Sequence, residues 1–136
     1  MKHLKLFALG ALFLAGCATI SRYDQYSYMQ AVNLKVDSMK LMDSGVESYA
    51  SHKSEVQDIK TRVEKAYEYE KGRPKNTITT DMWNVMFAPK GALLGGFFAL
   101  WEESGTLSPA FIQQQKKQVA IGFDEIISLE SEKIKK

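Results

Sequence analysis

The sequence predicts an all-α protein folded as a small helical bundle, and three observations carry that reading. Apolar residues recur at steps of three and four over long stretches, the repeat of a helix face. No stretch sustains the apolar–polar alternation of a half-buried strand. Each of the three prolines, Pro74, Pro89 and Pro109, falls where a helix should start or stop.

The first element is a long N-terminal helix over about 24–71, straight or bent near Gly45. From Tyr23 to Lys71 there is no Pro and only one Gly. Met29, Val32, Val36, Met39, Met42, Val46, Tyr49, Val56, Ile59, Val63, Ala66 and Tyr67 form its apolar stripe, while Lys35, Lys40, Lys53, Glu55, Asp58, Lys60 and Arg62 line the other face. A continuous helix over that span would be about 73 Å long. A lone Gly costs only about 1 kcal/mol inside a helix, so Asp43-Ser44-Gly45 permits a break without forcing one. Gly72 and Pro74 mark the end.

Two short helices follow. The first covers about 80–87, with Thr79, Thr80 and Asp81 as candidate caps for Met82, Trp83, Val85, Met86 and Phe87. The second covers about 91–103 and is strongly apolar, with Leu93, Leu94, Phe97, Phe98 and Trp101. Its Gly91-x-x-x-Gly95 spacing allows another backbone to approach closely. The run from Ala88 to Trp101 is too short to span a bilayer and reads as core. The last helix, about 109–133, has the best start in the chain, an N-cap Ser108 before Pro109. Its inward side reads Phe111 or Ile112, Val119, Phe123, Ile126 and Leu129. If this helix pairs antiparallel with residues 46–71, the stripe on 23–43 lacks a partner within the chain. It would then bend back, pair with a second copy or meet another protein.

Composition excludes several classes. With 45% hydrophobic residues the chain can bury a core, and one Cys rules out a disulfide framework. Beyond residue 16, 16 Lys+Arg face 16 Asp+Glu, so no basic excess points to nucleic acid.

The start of the chain is the most specific part. Met1-Lys2-His3-Leu4-Lys5 is a short basic region, Leu6 to Leu14 an apolar one, and Ala15-Gly16 a small pair before Cys17. Nine apolar residues are about half of what a membrane span needs. Leu14-Ala15-Gly16-Cys17 resembles the lipobox of bacterial lipoprotein precursors. The resemblance implies a cleaved signal peptide over 1–16 and a lipidated tether over 17–22, while the helical pattern beyond it makes 23–136 a single helical domain. It also implies diacylglycerol on the Cys17 sulfur as the covalent lipid and, by resemblance, Ala18 after the Cys favours the outer membrane, periplasmic face. Two or three acyl chains make such an anchor stable.

Candidate sites in the body are sparse. Tyr23, Tyr26 and Tyr28 follow the tether, and Tyr suits interfaces with one apolar and one wet side. With Met29, Val32, Val36 and Met39 they form the expected interaction surface. His52 is the only His after the leader, too few for a metal site without Cys partners, and it reads as a helix-face residue. Glu102-Glu103 is the nearest approach to a carboxylate pair, yet adjacent helical residues do not face each other. The terminal cations Lys133, Lys135 and Lys136 suit a helix C-terminus. In its terminal Lys alone, Lys136 resembles the wall-linked end of murein lipoprotein.

The sequence therefore predicts a non-catalytic envelope lipoprotein acting by protein contact or self-association, with no cofactor beyond the Cys17 lipid and no small-molecule substrate. The alternatives are a periplasmic enzyme using two carboxylates, a tether from membrane to cell wall, and an exclusion or immunity lipoprotein.

Overall fold

The computed structural model describes residues 20–135, and its elements run α1 Gln25–Asp43, a 3₁₀ turn Ser44–Val46, α2 Tyr49–Lys71, α3 Thr77–Phe87, α4 Leu94–Ser104, α5 Pro109–Glu132 and a closing 3₁₀ turn Lys133–Lys135. All are helical, as the periodicity predicts, and no strand occurs among the described residues. The expected signal peptide, Cys17 and Lys136 lie outside the described residues.

The chain makes four antiparallel passes. α1 leaves one end of the bundle, α2 returns to it, α3 and α4 together make the third pass, and α5 returns again. Ion pairs trace this register. Asp37 of α1 meets Arg62 of α2 at 2.7 Å, and Lys35 and Asp43 of α1 meet Asp124 and Lys116 of α5 at 2.5 and 2.6 Å. Trp83 and Phe123 then join α3 to α5, and Phe97 and Phe111 stack between α4 and α5.

The long helix over 24–71 is thus corrected to a hairpin. The break falls at Ser44–Ser48, where tertiary contact overrides the small cost of a helical Gly. Leu107 N–H donates to the Gly45 carbonyl at 2.8 Å, and Tyr49 N–H donates to the Gly105 carbonyl at 2.8 Å. A Cβ on Gly45 would stand 3.0 Å from Ile112 Cδ1 and 3.2 Å from the Phe97 ring. Folding back buries both halves of the stripe, a gain of about 1.5–3 kcal/mol per large apolar side chain, which dwarfs what a straight helix would keep.

Of the three outcomes open to the stretch 23–43, it bends back and finds its partners within the chain. α1 packs most extensively on α5 and next on α2. Its buried face is Ser27, Ala31, Leu34, Ser38, Leu41 and Met42. Small residues on that face let neighbouring helices approach closely, so the core side is not the side with the most Met and Val. The hydroxyl of Ser38 is buried without a partner among the described residues. The expectation was better for α2 and α5, where Val56, Ile59, Val63, Ala66, Ile112, Val119, Phe123 and Ile126 are all buried.

The aromatic segment from Trp83 to Trp101 does not cap one end; it runs the bundle's length as the third pass. Its kink rests on glycine. A Cβ on Gly95 would lie 2.3 Å from the Phe87 carbonyl oxygen, and one on Gly96 would lie 1.8 Å from that of Gly91. The approaching backbone is the end of α3 and its own connecting loop. Helix starts are mixed: Asp24 and Ser108 accept from Ser27 N–H and Phe111 N–H as caps, whereas α3 begins two residues before the Thr79–Asp81 group. Gly72 ends α2 in a right-handed conformation, and the left-handed residue of the loop is Lys75, φ 57°.

Candidate functional site

Tyr26 is 59% exposed on the α2 side of α1, its ring 4.7 Å from that of Tyr69. Tyr23 and Tyr28 are half-buried, with rings 6.4 Å apart. Met29 and Val36 are exposed, while Val32 and Met39 are half-buried. At roughly 100° per residue these last four fall within a quarter turn, on the face of α1 opposite its core side. Of the Met/Val strip found in the sequence, Met29 and Val36 face outward from a helix that is already packed, while Met39 also packs against the core. Beside it lies a cleft of about 300 Å³ lined by Tyr26, Met29, Gln30, Asn33, Leu34 and Arg62.

A second constellation, missed by the sequence reading, ties together the end of the bundle where the chain enters. Glu70 of α2 and Glu130 of α5 each end an inward stripe, and both side chains are nearly inaccessible. Arg73 Nη1 donates to Glu70 Oε2 at 2.8 Å, and its Nη2 donates to Glu130 Oε1 at 3.2 Å. Lys133 Nζ uses all three of its protons, on Glu130 Oε2 at 2.5 Å, Asn76 Oδ1 at 3.1 Å and Thr79 Oγ1 at 3.2 Å. Two buried cations thus neutralise two buried carboxylates, which keeps the desolvation cost within reach of their attraction. Burial would lower the Arg73 pKa, but Glu130 and Glu70 outweigh it and raise it above its ordinary value. Lys133, expected as one cation of a solvated helix end, is instead 5% exposed.

The residues entering the bundle are stitched into this clasp. Ser21 Oγ donates to Asn76 Oδ1 at 2.7 Å, Asp24 N–H donates to Glu130 Oε1 at 2.7 Å, and Arg73 donates to the Arg22 carbonyl. Arg73 also donates to Ser27 Oγ at 2.9 Å. Burial pushes the Asp24 pKa up, but Ser27 N–H, the Tyr69 hydroxyl and the Arg73 charge together hold it below the ordinary value. The stability this lends is present above pH 3.8 and is lost as pH falls through the lower folded-state value. One signal in the sequence does mark the clasp. Glu70 continues the step 63–66–70, Glu130 continues 123–126–130, and each has a cation three residues on.

At the opposite end, His52 lies between two carboxylates. Nε2 pairs with Glu47 Oε2 at 2.8 Å and Nδ1 with Glu55, while the ring packs 5.6 Å from that of Trp101. Trp101 Nε1–H donates to the Glu47 carbonyl at 3.0 Å. The hydrogen bonds to Glu47 and then Glu55 raise the His52 pKa against a small opposing effect of burial. The stability gained is full below pH 6.5 and is lost as pH rises through the higher folded-state value. His52→Gln should therefore flatten the decline in Tm on going upward from pH 6.5, read from melts across that range. The two carboxylates address opposite ring nitrogens, so they cannot join His52 around one ion. Among the described residues no group of three or more His, Cys, Asp and Glu forms a metal-ligand set.

The carboxylate pair proposed for an enzyme, Glu102-Glu103, is exposed at the end of α4. The buried pair, Glu70 and Glu130, is engaged instead by Arg73 and Lys133. The larger clefts lie elsewhere. A charged one of about 420 Å³ separates α1 from α2 around Asp37, Lys40, Asp58 and Arg62. An apolar groove of about 750 Å³ between α2 and α3 is floored by Val63, Tyr67, Trp83 and Phe87. Among the described residues no helix is long and apolar enough to cross a membrane. Comparison with known protein families, with curated proteins and with solved structures finds no match to this chain.

Proposed function

We propose that the chain is a lipid-anchored envelope lipoprotein that acts by binding another helix, from a second copy or from an envelope protein, rather than by catalysis. The lipobox-like Leu14-Ala15-Gly16-Cys17 supplies the anchor, which sets the protein on the periplasmic face of an outer membrane. The observation that carries the binding role is the outward strip of α1. Met29 and Val36, 45% and 60% exposed, line up with half-buried Val32 and Met39 on a helix whose other face is held by α5 and α2. A rigidly backed strip of unbranched and β-branched apolar side chains is the form in which helix-in-groove contacts are made. The buried Glu70 and Glu130 are matched in charge by Arg73 and Lys133, which suits support of a surface.

The anchor is tested by Cys17→Ser, which should give a mislocalised protein that no longer fractionates with membranes. Retention on membranes would overturn it. The binding role is tested with a photo-cross-linker at Val36 in cells, against a control at exposed Ile121 of α5. A discrete adduct at 36, either twice the chain's mass or with one other protein, is expected, and Met29→Asp should abolish it. Adducts equal at 36 and 121, or none at 36, would overturn the role.

A further inference from the structure

We infer that the clasp end of the bundle lies against the bilayer and is built to rest on anionic phospholipid headgroups. This inference rests on the lipid anchor at Cys17 proposed above and goes beyond it to the orientation of the body.

The first observation is where the docked chain begins. Ser21 is 7% exposed and bonded to Asn76, Arg22 is held through its carbonyl by Arg73, and Asp24 N–H is held by Glu130. The segment that a sequence reading treats as a free tether is thus fixed to the protein from Ser21 onward. From Cys17 to Ser21 the chain spans at most about 14 Å. A bundle whose helices are about 35 Å long cannot turn its far end to the membrane on so short a lead. The end bearing Ser21 must face the surface that Cys17 enters.

The second observation is the charge at the two ends. Around Ser21 the exposed cations are Arg22, Lys71, Lys75 and Lys135, against Glu68, Asp81 and Glu132. Glu68 is already engaged by Lys71 at 3.5 Å. The opposite end exposes Asp43, Glu47, Glu55, Glu102 and Glu103, with Lys40, Lys53, Lys117 and the Asp43-bound Lys116 as its cations. A chain with no basic excess overall is thus polarised along its axis. The excess is small and of opposite sign at the two ends, so an anionic surface favours the Ser21 end over the other.

The third observation is what else that end displays. Ile78 and Ile134 are 57% and 64% exposed there, apolar groups of a size to enter the headgroup layer. Lys75 sits at the tip of the α2–α3 loop with φ 57°, a conformation in which glycine or asparagine would be less strained. Lys75 thus adds an exposed cation to the end that faces the lipid.

The test uses the full chain, matured in cells, with one added cysteine at either end, Ile134→Cys or Val46→Cys. Both sites are exposed, and an acylated Cys17 leaves the new thiol as the one that a maleimide fluorophore can label. The labelled protein is placed in vesicles of phosphatidylcholine with phosphatidylglycerol, containing a lipid with a nitroxide on its headgroup. Quenching at position 134 should exceed that at 46 by at least threefold. The excess should shrink when Lys71, Lys75 and Lys135 are all changed to Glu, and also at high salt, where the charge term is screened. Equal quenching at the two positions, or an excess untouched by the charge reversal, would overturn the inference. Mass spectrometry of the same preparation separates the two levels. An acylated terminus with equal quenching removes the orientation alone, whereas a terminus without acyl chains removes the anchor and the orientation with it.

Discussion

Glu130→Ala is expected to cost about 3–5 kcal/mol of stability, the effect of removing one partner from a buried ion pair. The carboxylate accepts from four groups: Asp24 N–H, two nitrogens of Arg73, and Lys133. Its loss leaves Lys133, itself 5% exposed, with only the neutral acceptors Asn76 and Thr79. It leaves Arg73 with Glu70 as its one buried carboxylate, and it frees the backbone at Asp24. For a bundle of this size the loss corresponds to a fall in Tm of roughly 12–20 °C. The double variant Glu130→Met with Lys133→Met removes one charge of each sign and fills the space with apolar atoms, so it should lose much less. That contrast is informative because a buried pair replaced whole is often neutral or stabilising. Urea titration of the two variants checks it. A single variant within about 1 kcal/mol of the parent would show that water reaches the clasp and screens it.

Trp101→Ala should be of similar size, about 3–5 kcal/mol, from loss of a fully buried aromatic. Trp101 is 0% exposed and sits where α2, α4 and the turn after α1 meet. Tyr49 packs on it edge-on at 5.6 Å, Phe97 lies 6.2 Å away, and its Nε1–H satisfies the Glu47 carbonyl. Trp101→Phe keeps most of the packing but loses that bond, so its cost should fall to about 0.5–1.5 kcal/mol plus the small volume change. Because the same ring supports His52, alanine there should also reduce the pH dependence described for His52. Denaturant curves at pH 6 and above pH 7 measure both effects together.

The helices were legible because each carries its own repeat. α2 and α5 show apolar side chains at three- and four-residue steps, and Ser108-Pro109 announces where α5 begins. Gly45 was legible as a place where the helix could bend, but the choice to fold back there is decided by Ile112 and Phe97, more than fifty residues away. The face that α1 buries was misread for a related reason. Ala31 and Ser38 are chosen by how near α5 and α2 come, and hydropathy scores them below the Met and Val that point outward. The clasp was hidden because Glu70 and Glu130 resemble any solvated helical glutamate until two stripes are extended by one more step. What marks them is register rather than residue type. His52 was read correctly as a helix-face residue, but its second carboxylate, Glu47, lies beyond the start of the helix and comes within reach through the turn.

An even number of passes leaves Ile20 and Lys135 at the same end of the molecule. A fluorescent protein or affinity tag fused behind the C-terminus would crowd the very face that the anchor holds down, so a fusion there would report on a tilted or displaced molecule. Cargo is better inserted at Thr106, exposed in the connection opposite, where the chain is already turning. Nearby ends also make the sequence a candidate for circular permutation: a short linker between them, with new ends opened at Thr106, would keep every helix while moving both termini to the other pole.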